Sequence, residues 1–151
     1  GTLYNHFGGK DTIFAELVGN LVREVRAVLS ESRSKAYDIE SFILGAFHAY
    51  SALMEAQPKM QQLIQVNSNA FRRYITTDQE LAGLIADLEQ DMQAAVDSGI
   101  MPSFPVNLMT SAMMGASIEI FSEDISSHTA KQKAEFLGQI FLGGIQRLAN
   151  V

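Results

Sequence analysis

The chain has 151 residues, 47% hydrophobic and 19% charged, enough for one domain with a sizeable core and too apolar for a disordered segment. Eleven Lys and Arg against 17 Asp and Glu give a formal net charge of −6, which argues against the body of the chain as a nucleic-acid surface, because phosphate binding needs clustered positive charge. The absence of cysteine excludes disulfides and thiolate metal sites and suits a cytoplasmic location; no apolar run is long enough to cross a membrane, and no secretion signal is evident.

The opening residues, Gly1-Thr2-Leu3-Tyr4-Asn5-His6-Phe7-Gly8-Gly9-Lys10, predict a helix end, a turn at Gly8-Gly9 and a new start. Ile13, Phe14, Leu17, Val18, Leu21, Val25, Val28 and Leu29 then recur at helical spacing and predict a long helix from Lys10 to Ser32. Asp38 suits the N-cap of a second helix over Ile39–Ala56. That helix is apolar almost all round and therefore belongs at the centre of its domain. Pro58 opens a third helix running through Phe71 to Tyr74. Thr77-Asp78-Gln79-Glu80 reads as a capping box with Thr77 as its first residue. The helix that follows ends at Ser98-Gly99. Pro105 starts a fifth, and Thr129-Ala130-Lys131-Gln132 caps a sixth. The fold class is all-α, a helical bundle.

Function enters at the first residues. The run Tyr4-Asn5-His6-Phe7, with Lys10, Asp11 and Phe14 behind it, resembles the last part of the helix-turn-helix of TetR-type (tetracycline-repressor) transcriptional regulators. In that family the recognition helix ends in a Tyr-x-His-Phe run and a lysine begins the next helix. The resemblance implies residues 1–9 as the end of a DNA-binding domain, with its first helices upstream of Gly1, and residues 10–151 as a TetR-type ligand-binding and dimerisation domain. Thr2, Tyr4, His6 and Lys10 offer hydroxyl, ring N–H and ammonium donors of the kind that position a protein on the DNA backbone. The implied protein is an effector-responsive regulator, a repressor that binds operator DNA as a dimer and is released or modulated by a small lipophilic ligand. No cofactor is implied.

The body offers candidates for both remaining roles. Phe42, Phe47, Tyr50, Met54, Leu63, Phe71, Leu88 and Met92 either fill a plain core or line an apolar cavity for an uncharged or weakly polar effector. His48, Ser51 and Asn67 are the polar candidates beside them. The His48 ring is either satisfied by a backbone carbonyl or touches the ligand, and Glu119 is either a solvated edge or a buried acid. In the last two helices Ala112, Met113, Ala116, Ile120, Phe136, Leu137, Ile140, Phe141, Gly144 and Leu148 form an apolar surface interleaved with small residues, suited to a homodimer built as a four-helix contact. The sequence holds no nucleophile elbow, phosphate loop, dinucleotide fingerprint or His-Glu-x-x-His, and its three histidines are scattered; this argues against an enzyme. The alternative is a helical dimeric interaction module that binds neither DNA nor ligand.

Overall fold

The computed structural model describes residues 2–122 and 128–149, with side chains from residue 12 onward. The described residues form seven helices and no strand: α1 (Thr2–Ser34), α2 (Ile39–Glu55), α3 (Pro58–Val66), α4 (Ser68–Thr77), α5 (Gln79–Asp97), α6 (Val106–Ser122) and α7 (Ala130–Leu148). None is long and apolar enough to cross a membrane.

Local chemistry sets the boundaries. Asp38 Oδ1 accepts from the Ser41 amide at 2.7 Å while Ser41 Oγ accepts from the Asp38 amide at 3.1 Å, which closes the start of α2. Thr129 and Gln132 exchange the equivalent pair at the start of α7. Gly99, at φ +82°, makes the left-handed turn that ends α5. Two boundaries differ from the sequence expectation. Thr77 closes α4, donating back to Arg73 O and Tyr74 O, each at 3.2 Å. Asp78 caps α5 in its place, accepting from the Glu80 amide at 2.8 Å; a carboxylate cap is at least as good as a hydroxyl. The expected third helix is divided at Asn67, which leaves the helical region (φ −117°, ψ 37°) and donates its side-chain amide to Leu63 O at 2.9 Å. Leu63 O accepts from the Asn67 backbone amide as well, at 3.1 Å, so the side chain adds a local bond at the point where the helix breaks. At the other end, α1 runs unbroken through Gly8-Gly9, where a turn was expected. Glycine within a helix costs about 1 kcal/mol relative to alanine and does not forbid it.

As its lack of a polar face implies, α2 lies in the middle, packed on α1 and α7. Its approach to α7 is close at Gly138, where a Cβ would stand 2.8 Å from Leu44 Cδ2. The core has two parts. One joins α2, α5, α6 and α7 around Ile43, Met92, Ala134, Leu137 and Ile145. The other joins α1, α4 and α5 around Val18, Leu21, Val22, Phe71 and Leu84.

The acidic residues concentrated between Asp78 and Asp97 have a structural use. Arg26 meets Asp87 at 2.6 Å and Glu80 at 3.3 Å, and Arg33 meets Asp91 at 2.8 Å. Partners ascend together along both helices, so α1 and α5 run parallel, joined by a ladder of arginines on one and acids on the other. The hydrogen bond from Arg26 holds the Asp87 carboxyl below its usual value of 3.8. A carboxyl with a depressed pKa stabilises the fold above its unfolded pKa, and that contribution is lost as pH falls through the lower folded value. Asp87→Asn should therefore be somewhat less stable than the parent at neutral pH and lose less stability below about pH 4. Denaturation at a series of pH values checks this; parallel stability curves would show that Asp87 carries no charge-dependent contribution.

Candidate functional site

A cavity of about 110 Å³ lies at the seam between the two cores. The long helix α1 supplies one wall through Leu21, Val22, Val25 and Leu29, with Arg33 at the end of that row. Ala46, Phe47 and Tyr50 come from α2, Phe71 and Ile75 from α4, and Leu81 and Leu88 from α5. The remaining wall is α6, with Met113, Met114, Ser117, Ile118 and Phe121. The spacing along α1 explains its share: residues 21, 22, 25, 29 and 33 fall on one stripe at three- and four-residue intervals.

The lining is almost wholly apolar. Aromatic rings brace it: Tyr50 packs on Phe121 with centroids 4.5 Å apart, and Phe47 stacks on Phe141 at 6.1 Å. Burial pushes the Tyr50 phenol above its usual value of 10, so it is a neutral hydroxyl at physiological pH. Apart from Tyr50 and Ser117, the polar lining is Arg33. Its side chain is only 2% exposed, and its Nε donates to Asp91 Oδ2 at 2.8 Å. Nη1 and Nη2 are buried with no hydrogen-bond partner among the described residues.

Of the ligand candidates read from the sequence, Phe47, Tyr50, Phe71 and Leu88 meet at this cavity. The others lie elsewhere. Phe42 and Met92 are packed into the α2–α7 core. Ser51 is buried with its hydroxyl on His48 O at 3.0 Å, and Asn67 is occupied by Leu63 O. Leu63 is half-buried on α3. Met54 faces a second, smaller and more polar recess, with Gln61, His128 and Lys133. His48 points away from the core, about half exposed, with Nε2 3.1 Å from Glu135 Oε2. Glu119 lies at the solvated edge and pairs with Arg72 at 3.2 Å, tying α6 to α4. The wall residues of α1 and α6 escaped the sequence reading, although the apolar stripe of α1 from Leu21 to Leu29 was there to be read.

A second feature lies on α6 and α7. Leu108, Phe136, Ile140 and Leu148 are 66%, 59%, 49% and 42% exposed. On α7 an outer stripe runs Phe136, Ile140, Gly144, Leu148 at four-residue steps, exposed except at the half-buried Gly144, and on α6 Ala112 is exposed with Ala116 and Ile120 half-buried. A Cβ added at Gly115, Gly143 or Gly144 would meet nothing within 4 Å. Three residues expected on this surface are instead internal: Met113 lines the cavity, and Leu137 and Phe141 are buried against α2. The apolar face of α7 is wider than one contact needs, so its inner half packs within the subunit and its outer half stays open. Thr2, Tyr4, His6 and Lys10, the expected DNA contacts, have side chains outside the described residues.

No known family, curated protein or solved structure matches the chain.

Proposed function

We propose that the chain is the sensing and dimerising body of a TetR-type transcriptional regulator, with the cavity as its effector site. The observation that carries this reading is the position of α1. The helix that begins in the Tyr4-Asn5-His6-Phe7 segment supplies five residues of the cavity wall. An occupant that shifts the wall shifts the helix, and so moves the end that the resemblance assigns to DNA. The outer faces of α6 and α7 supply the apolar surface that a two-fold dimer buries. Two reading heads in a dimer meet half-sites about one DNA turn apart, ~34–36 Å, and a change in their separation alters affinity.

Selection from a pool of random duplexes with the full-length chain tests the DNA reading. The expected product is an inverted repeat with half-sites about one turn apart; a pool that never converges overturns the proposal. One observation favours the alternative, a helical interaction module: α1 passes through Gly8-Gly9 without the turn that the family makes there. On that alternative the chain dimerises, selects no duplex and binds no small molecule.

A further inference from the structure

The sequence suggests an uncharged effector, on the ground that a buried charge needs a partner the chain hardly supplies. Arg33 alters that ground. A guanidinium carries five N–H donors and keeps its charge at any physiological pH. Asp91 takes the Nε edge, and the two terminal nitrogens are left buried without partners among the described residues. Unmet donors of a buried cation are costly, and native structures tolerate them where something else supplies the acceptor. Arg33 also forms part of the cavity wall, as its sole charged residue.

We propose that the cavity takes a small amphipathic monoacid, its carboxylate held by Nη1 and Nη2 of Arg33 and its apolar body by Val25, Phe47, Leu88 and Met113. This inference rests on the reading of the cavity as a ligand site. A carboxylate matches the planar fork of the guanidinium with two parallel charge-assisted hydrogen bonds, whereas a hydroxyl or amide oxygen brings neither the charge nor the second oxygen. The two terminal nitrogens are buried, so seating the acid requires the arginine side chain to swing them into the cavity. The acids nearby do not occupy the terminal edge: Asp91 is 41% exposed and bonded at Nε, and Asp87 is held by Arg26 at 2.6 Å. The wall holds a single cation, which already shares its charge with Asp91, so a monoanion is compensated only in part and a doubly charged phosphate is disfavoured further. The volume of about 110 Å³ is below the roughly 150 Å³ of an apolar cavity that admits benzene, so one aromatic ring is the upper size of the body and enters as flexible wall residues such as Met113 and Met114 give way.

Phenylacetate and its neutral isostere phenylacetamide, titrated calorimetrically at pH 7, test the inference. The parent chain should bind the acid at least about tenfold more tightly than the amide, the increment of a charge-assisted pair over a neutral one. Arg33→Met should abolish that preference while retaining amide binding. Asp91→Asn, which removes a competing negative charge and keeps an acceptor for Nε, should widen the preference, which a purely structural role for Arg33 would not produce. If Arg33→Met does not fold, the comparison of parent and Asp91→Asn decides alone. Equal binding of acid and amide by the parent overturns the carboxylate inference and leaves the cavity reading intact, as does a preference that survives Arg33→Met or fails to widen in Asp91→Asn. Failure of the parent to bind either compound overturns the ligand site itself.

Discussion

Gly144→Glu is expected to convert a dimer into a monomer while leaving the subunit folded. Gly144 lies half-buried in the outer stripe of α7, and a Cβ added there meets nothing within 4 Å in its own subunit. Glutamate is also a better helix residue than glycine, by about 0.5–1 kcal/mol, so the isolated subunit should be no less stable. Across a two-fold interface the same substitution sets two carboxylates in an apolar contact, at a cost of several kcal/mol, or more than about a hundredfold in dissociation constant. Sedimentation at micromolar concentration reads the outcome: dimer for the parent, monomer for the variant, with matching circular dichroism. A parent that sediments as a monomer contradicts the assembly, and a variant that remains a dimer places the interface elsewhere.

Leu137→Ala is expected to destabilise the subunit by about 3–5 kcal/mol, the upper range for a leucine truncated in a core that cannot collapse. Leu137 is 1% exposed, within the α2–α7 core, on the helix where Gly138 fits closely against Leu44. The loss should be independent of protein concentration. Leu137 read from sequence as a dimer contact would predict the opposite, a deficit that shrinks as concentration rises, because mass action restores a weakened interface. Urea denaturation at two concentrations a hundredfold apart separates the two.

The difference over Leu137 shows what periodicity conveys. Residues 136, 137, 140, 141, 144, 145 and 148 make one broad apolar face, which fixes α7 as a helix with much to bury. Which half of that face goes inward depends on α2, about ninety residues earlier in the chain, and no local pattern contains it. The same holds for the cavity. Phe47, Tyr50, Phe71 and Leu88 are readable as large apolar groups on inward faces, yet a void forms only where several helices fail to fill the space between them. For this reason the walls from α1 and α6 do not stand out in the sequence, and Phe42 and Met92 read as cavity residues although they fill a core. Caps were more legible, since Asp38, Thr129 and Gly99 act on neighbours within four residues. Where local chemistry competes with itself the reading slips. Thr77 and Asp78 are both good caps, and the carboxylate took the position. Asn67 had two acceptable uses and broke the helix. Arg33 was hardest of all: within Ser32-Arg33-Ser34-Lys35 it looks like a solvated break, and only the partner 58 positions away, Asp91, shows that it is buried.

Under the proposed function, filling the cavity and holding DNA are coupled through α1. Coupling between two sites is reciprocal, typically 1–3 kcal/mol or about 5–150-fold, so it can be read from the effector side alone. The direct measurement is the affinity of phenylacetate for the full-length chain, titrated free and then saturated with the duplex recovered by selection. The account predicts weaker binding of the acid in the presence of DNA, by about fivefold or more, and the same factor lost from DNA affinity when the acid is in excess. Equal affinity for the acid with and without DNA would contradict it.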